Sequence, residues 1–274
     1  MTSVSNDLQD FEKLPIRPLK AWRHFKNLIA DKEDTAQVFH IINALNGNSQ
    51  RKQYIDYIES EAGQQHVAKM VHLPPLLDDH DALKQLPDGS LGRAYVDFME
   101  AEGLTAQGLV DEYDSFDAGL MEQYPDTVQW YFNRRRDTHD LLHILTGYGR
   151  DALGEASLLA FSYAINKGLG VAFIAYGAGY EVRKSAPKAA KIMSVIREGH
   201  KNGKAAGDIL NYDVINLLAQ PLDKVRKELG IKPATAYHRA HDVMRANGMD
   251  PYDMVPPKIE PGSKTATEVE TLAA

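Results

Sequence analysis

Apolar side chains recur along this chain at helical spacing, and no stretch shows the period of two that a run of strands would need. Val38, Phe39, Ile42 and Leu45 fall on one helical face, with Asp34 placed to cap the helix and Gly47 to end it. Leu91, Ala94, Tyr95, Phe98 and Met99 repeat the pattern between Ser90, a capping residue, and Gly103, a stop. Arg51 to Ala62 and Gln65 to Val71 read as shorter helices halted by Pro74-Pro75. Leu76 to Gly89, rich in Asp, reads as a loop. Ala106 to Tyr113 is a short helix, and Asp114 to Tyr124 fits no single pattern. Asp126 caps a helix that the periodicity carries to about Thr146, and Asp151 is placed to cap the next, which reaches about Asn166. Gly168 to Tyr180 is another. Pro187 opens a helix that Gly199 and Gly203 would interrupt or bend, and Ile209 to Leu218, Leu222 to Leu229 and Thr235 to Ala246 complete the series. The expectation is an all-α fold: a single helical domain of roughly ten helices over residues 13–255, with disordered tails at 1–12 and 256–274.

Two segments qualify that picture. Residues 14–29 set Arg17, Lys20, Arg23 and Lys26 beside Trp22, Phe25, Leu28 and Ile29. This is the pattern of a helix whose apolar side packs on the domain, or of one lying in a membrane interface. Ala156 to Tyr180 is the most apolar run, but Lys167 divides it, and the remainder falls short of the ~20 residues that span a bilayer. Glycines at 168, 170, 177 and 179 suit close helix packing, a bend, or room for a lipid tail.

Composition narrows the function classes. The 274 residues are 43% hydrophobic and 25% charged, enough for a sizeable core. A net charge of −7 argues against nucleic acid as a partner. The absence of cysteine excludes disulfides, thiolate metal ligands and a cysteine nucleophile. Met1 to Gln9 is polar, without the apolar core of a secretory signal or the arginine-rich character of a transit peptide.

The candidate chemistry lies at His139, Asp140 and His143. Four residues advance a helix by about 400°, so the two histidines share a face and Asp140 falls within the same wedge. Val128, Phe132, Arg135, His139, His143 and Thr146 form one stripe, which turns the histidines inward. Eleven residues beyond His143, across a Gly147-Tyr148-Gly149 break, comes Glu155, on a helix that would fold back toward the same point. Two imidazoles with one or two carboxylates are a divalent-metal ligand set; the plainer reading is a pair of satisfied core histidines. A zincin is ruled out, because the residue after the first histidine is Asp140 rather than the glutamate that motif needs. Arg136 stands four residues before Asp140, placed either for an ion pair along the helix or to orient a substrate carboxylate, and Arg135 lies on the histidine face. Tyr237-His238-Arg239-Ala240-His241-Asp242 reads as surface residues or a local ion pair rather than a second metal site.

These residues resemble the Coq4 family of ubiquinone-biosynthesis proteins, whose signature is HDxxH, eleven residues, then Glu; here it is His139, Asp140, His143 and Glu155. Arg134 and Arg136 stand where the family has an R-x-R pair, Gly147 follows the motif and Gly154 precedes the glutamate. ADKEDTAQVF, LPDGSLGRAYVDFM and GKAAGDILNYDVINLLAQPLDKVRKELGI extend the likeness over roughly residues 15–235, with Asn166 where mitochondrial members have Gln. The resemblance implies an all-helical protein with its metal site between two core helices. The metal is zinc by family habit, with iron, manganese or cobalt as alternatives. His139, His143, Glu155 and Asp140 would be the ligands, and Arg134, Arg136 and Asp140 the catalytic candidates. It further implies ubiquinone biosynthesis by oxidative C1 decarboxylation of a polyprenyl-4-hydroxybenzoate. The alternative is a non-catalytic prenyl-lipid scaffold, and an HD-type phosphohydrolase is a third reading. The expected partners are the prenylated benzoate or quinone, other quinone-biosynthesis proteins, a membrane surface and a second copy of the chain. The N-terminus points to a bacterial member, cytoplasmic and peripheral on the inner face of the membrane.

Overall fold

The computed structural model describes residues 15–31, 34, 36–45, 47–117, 122 and 124–253. The expected tails, 1–12 and 256–274, lie outside the described residues. The chain opens with α1 (Pro18–Ala30) and α2 (Ala36–Leu45), then α3 (Ser49–Ile58) and α4 (Glu61–Val67). The stretch expected to be a loop instead holds two single turns, α5 (Pro74–Leu77) and α6 (His80–Leu83). They form because Asp79 caps one, accepting from the Ala82 amide, while Asp78 accepts from the Ala106 and Gln107 amides at the start of a distant helix. Next come α7 (Leu91–Glu102), capped by Ser90 and ended by a left-handed Gly103, and α8 (Ala106–Asp117).

The helix expected to run from Asp126 to Thr146 is two: α9 (Asp126–Asp137) and α10 (His139–Thr146). The Thr138 hydroxyl donates to the Arg134 carbonyl at 3.0 Å and the Arg135 carbonyl at 3.2 Å, competing with the backbone ladder at the point where the helix bends. Asp126 supplies no side-chain cap; it occupies the first turn behind Pro125. Then follow α11 (Ala152–Asn166), α12 (Leu169–Ser185), α13 (Ile192–Ala205), α14 (Val214–Leu218), α15 (Leu222–Glu228) and α16 (Thr235–Ala246). No strand occurs among the described residues, and the fold is one all-α domain cut more finely than the roughly ten helices expected.

The centre of the domain is the packing of α11 against α13 and α12. Gly199 and Gly203 neither interrupt nor bend α13; they let it cross α11 at backbone distance. A Cβ at Gly199 would stand 2.5 Å from the Ser157 carbonyl oxygen, and one at Gly203 2.2 Å from that of Phe161. Helix propensity disfavours glycine here, and tertiary packing overrides it. Gly203→Ala is therefore expected to destabilise by about 1–3 kcal/mol through overpacking against backbone that cannot yield. Urea unfolding checks this as a lowered midpoint with an unchanged slope. On the far side of α12, Ala21, Phe25 and Leu28 of α1 and Ile41, Ala44 and Leu45 of α2 close a smaller core with Ile174.

Candidate metal centre

His143 occupies the inward face of α10, with a side chain 0% exposed. Its Nδ1 lies 2.9 Å from the Tyr148 carbonyl, which can only accept, so Nδ1 carries the proton and Nε2 keeps its lone pair. The ring stacks on Phe98 of α7, centroids 5.6 Å apart. These contacts fix the imidazole so that Nε2 points toward α11. There it meets His139 Nε2 at 3.3 Å and Glu155 Oε1 at 3.4 Å, while His139 Nε2 lies 3.6 Å from Glu155 Oε2. Donors about 2.1 Å from one ion and tetrahedrally disposed stand about 3.4 Å apart. The two imidazole nitrogens and the Glu155 carboxylate thus already hold the spacing of ligands around a single cation.

A second triad shares the histidines. His139, Asp140 and His143 each offer a ligand atom within 4.8 Å of the others. Asp140 is only 9% exposed, and no described residue donates a hydrogen bond to it. Its carboxylate lines the cavity and is left by the protein to receive a cation. The donor set is nitrogen and oxygen with open positions, which fits zinc, iron, manganese or cobalt.

The electrostatics agree. Burial alone would raise the Glu155 carboxyl, but His143 and His139 beside it hold it well below its ordinary value. Burial would lower His139, and the Glu155 carboxylate raises it instead. Positive charge is favoured at this point, as a cation site requires.

Glu155 is delivered by the turn before it. Asp151 caps α11, its Oδ1 accepting from the Leu153 and Gly154 amides at 3.1 and 3.2 Å. Gly154 admits the turn, since a Cβ there would fall 2.0 Å from the Gly149 carbonyl oxygen. The fully buried Asp151 carboxylate also accepts from the Tyr237 hydroxyl and from His241 Nε2, the latter at 3.2 Å, and the Gly149 amide donates to Tyr237 at 3.1 Å. Tyr237 and His241 are therefore buried anchors that tie α16 to the start of α11, not the surface residues or local ion pair expected. Burial, with the Asp151 charge, pushes the Tyr237 phenol far up, so it remains a donor.

The arginines divide. Arg136 turns toward the site and Arg134 away from it. Arg134 is 4% exposed, donates to the Tyr212 carbonyl at 3.3 Å and lies over the Trp130 ring, at a distance from the cavity lining. Arg136 lines the cavity, bonded by Nε and Nη2 to Asp137, its neighbour in sequence rather than Asp140, and packed on Tyr113. Arg135 also lines it and pairs with Asp208 at 3.1 Å. Arg150, which periodicity gave no reason to single out, stands 3.9 Å from Glu155 and 3.7 Å from Glu102.

His139, Asp140 and Glu155 open into a cavity of about 800 Å³. Its walls run along α11 from Ala152 to Asn166 and along α12 from Val171 to Ser185, each about 21 Å of helix. Away from the histidines the walls include an apolar stretch of Leu28, Ile29, Val38, Ile42, Leu159, Ile165, Val171 and Ile174, alongside polar lining residues such as Asn43, Gln50, Ser162, Asn166, Glu181 and Lys184. The glycines of α12 serve packing more than space. A Cβ at Gly177 would stand 2.6 Å from the Phe25 ring, and one at Gly179 2.6 Å from Ile196.

A family model described as "Coenzyme Q (ubiquinone) biosynthesis protein Coq4" matches residues 58–235, a span that holds all four motif residues but not α1 or the ADKEDTAQVF stretch. Among curated relatives, the mitochondrial ubiquinone biosynthesis protein COQ4 homologue of Rattus norvegicus is 31% identical over 158 residues, 57% of this chain and 55% of that one. Its counterpart in Xenopus laevis is 27% identical over 157 residues, 57% of this chain and 51% of the relative. The chain thus spans about half the length of the curated relatives it matches. A crystal structure of a candidate ubiquinone biosynthesis protein from Nostoc punctiforme shares the fold, with a TM-score of 0.58 and 19% identity over 78% of this chain and 97% of that one.

Proposed function

The chain belongs to the Coq4 family of coenzyme Q biosynthesis proteins, and from that premise we propose that it is a metal-dependent decarboxylase of ubiquinone biosynthesis. Its substrate in this proposal is a polyprenyl-4-hydroxybenzoate, which loses the C1 carboxyl and gains a hydroxyl at that carbon. The observation that carries the reading is the joining of two unlike environments. A cluster of donor atoms 3.3–3.6 Å apart opens into a long cavity whose walls also carry a run of apolar side chains. An acidic aromatic head group with a prenyl tail needs both.

His139, His143 and Glu155 would hold the divalent ion, with Asp140 as a fourth ligand or as the carboxylate beside it. Such an ion supplies Lewis-acid stabilisation of the charge that develops as CO₂ leaves. Replacing carboxyl by hydroxyl removes two electrons from the ring carbon, so the reaction consumes an oxidant: in this proposal dioxygen takes the two electrons and leaves as hydrogen peroxide, water supplies the hydroxyl, and the carboxyl leaves as CO₂. Zinc has no redox chemistry, so that step would need iron, manganese or cobalt, or activation carried by the substrate itself. Arg136 contributes orientation: with Nε and Nη2 engaged by Asp137, its Nη1 is left to meet the substrate carboxylate. The apolar walls take the tail and exclude water. Attachment to the cytoplasmic face of a bacterial membrane and to other quinone-biosynthesis proteins belongs to the same proposal. No helix among the described residues is long and apolar enough to cross a bilayer.

Ligand discrimination tests the head-group assignment. Metal-loaded protein is expected to bind a prenylated 4-hydroxybenzoate about tenfold more tightly than the prenylated phenol lacking the carboxyl, and Arg136→Gln is expected to erase the difference. Calorimetry reads both. Equal affinity for the two ligands in the wild type would favour a lipid-holding scaffold over an enzyme.

A further inference from the structure

Three guanidinium groups line the cavity, and two of them are held by hydrogen bonds. Arg135 donates to the Tyr131 hydroxyl at 2.9 Å and pairs with Asp208 at 3.1 Å, and Arg136 is bonded to Asp137. Arg150 makes no hydrogen bond among the described residues. Its Nε stands 3.9 Å from Glu155 Oε1 and its Nη1 3.7 Å from Glu102 Oε2, each beyond hydrogen-bond reach. The backbone beneath it is fixed on both sides, by the Gly149 amide on Tyr237 and by the Asp151 cap of α11, while the side chain keeps 32% of its surface open. A pinned backbone with a loose guanidinium between two carboxylates is an arrangement with two resting places.

One of the two carboxylates is a proposed metal ligand, and the oxygen that Arg150 faces is the one that His143 Nε2 approaches at 3.4 Å. Arg150 therefore brings positive charge to the place where a cation would bind. A single and a double positive charge ~6 Å apart repel enough to weaken binding roughly tenfold even at the dielectric of water. Glu102, the last residue of α7, offers the guanidinium another carboxylate. We propose that Arg150 is a positioning residue with two settings: it leans on Glu155 while the centre is empty and moves to Glu102 when a divalent cation takes that oxygen. In the first setting it offsets the Glu155 charge and holds the carboxylate toward the histidines. In the second it withdraws to the part of the wall formed by Gly103, Leu104 and Thr105, which follow Glu102 in the chain. Because the two cations compete for one carboxylate, Arg150 weakens metal binding, and Glu102 restores part of it by receiving the displaced charge. The inference deepens the function proposed above by naming how its metal centre is tuned. It rests on that centre and takes nothing from the reaction assigned to it.

The test titrates the full-length, metal-free protein with zinc ions in ~0.15 M salt, where exposed charges more than about 8 Å apart are largely screened. Arg150→Gln is expected to bind zinc about tenfold more tightly than the wild type, and Arg150→Lys, which keeps the charge, to stay within about threefold of it. Glu102→Gln should bind about three- to tenfold more weakly. Glu102→Gln/Arg150→Gln should bind as Arg150→Gln does, since the anchor has no effect without the charge it receives. Circular dichroism is the control for folding. A crystal structure of the zinc-loaded protein is expected to hold the guanidinium within hydrogen-bond distance of Glu102. Unchanged or weakened zinc binding in Arg150→Gln, which a purely structural arginine would give, overturns the proposal. So does a Glu102→Gln effect that persists without Arg150, or a guanidinium that stays on Glu155 beside the ion. If His143→Ala loses zinc while Arg150→Gln gains nothing, the metal centre stands and only this role for Arg150 falls. A wild type that takes no zinc at all removes both.

Discussion

His143→Ala is expected to strip the protein of its metal while leaving its helices in place. Among the proposed ligands, His143 is the most fixed: its side chain is fully buried, Nδ1 is committed to the Tyr148 carbonyl, and its ring is stacked on Phe98. Its Nε2 is the atom from which both His139 and Glu155 are measured at 3.3 and 3.4 Å. Removing it takes away a ligand that is already oriented, and water entering the gap would bring no such orientation. Metal content after dialysis should fall to less than about a tenth of the wild type. His139→Ala should cost less, because His139 keeps 31% of its side chain open and water can stand in for it. Elemental analysis of both variants, with circular dichroism as the control for folding, checks the order. Undiminished metal in His143→Ala would remove the centre as described.

Asp151→Ala is expected to destabilise the domain by about 3–5 kcal/mol, the range for removing one partner of a buried charged network. The carboxylate is fully buried and accepts from the Tyr237 hydroxyl, His241 and the first amides of α11. Alanine leaves all those donors without an acceptor. The lost cap alone accounts for about 1 kcal/mol, and each orphaned buried donor adds about 1–3 kcal/mol. Asp151→Asn keeps one carbonyl oxygen for the cap and should lose roughly half as much. The same substitutions would act on a bound metal through Glu155, one turn along α11. Affinity in Asp151→Asn should fall about 10–100-fold, as for other residues that orient ligands. Urea unfolding and metal titration read the two effects separately. A full loss of affinity without loss of stability would contradict the clamp.

Helix faces, caps and the clustering of His139, Asp140 and His143 were legible in the chain because each depends on residues within a turn or two. Asp151 as the cap of α11 and Ser90 as the cap of α7 are local hydrogen bonds with local signals. So was the pairing of His139 with His143, which needs only the helical period. Three features were written less plainly. The bend at Thr138 leaves the periodicity intact, and only its hydroxyl, bonded back to Arg134 and Arg135, marks it. The division of the arginines follows from the helical period: residues two apart on a helix point about 200° apart, so Arg134 and Arg136 cannot both face one site. The clamp of Tyr237 and His241 on Asp151 joins residues far apart in sequence. Its only trace is that the two lie four apart on the buried face of α16, beside Ala240 and Met244. Gly199 and Gly203 misled for a related reason, since what they accommodate is the backbone of another helix.

The most direct measurement of the central claim is carbon dioxide release from a carboxyl-labelled prenylated 4-hydroxybenzoate under dioxygen. Protein loaded in turn with zinc, iron, manganese and cobalt would be compared with His143→Ala treated alike. The account predicts labelled carbon dioxide and the matching C1-hydroxylated product from at least one redox-active loading of the wild type, and neither from the variant. No release with any of the four metals, in protein that still binds the lipid, would contradict it and leave a prenyl-lipid scaffold in its place.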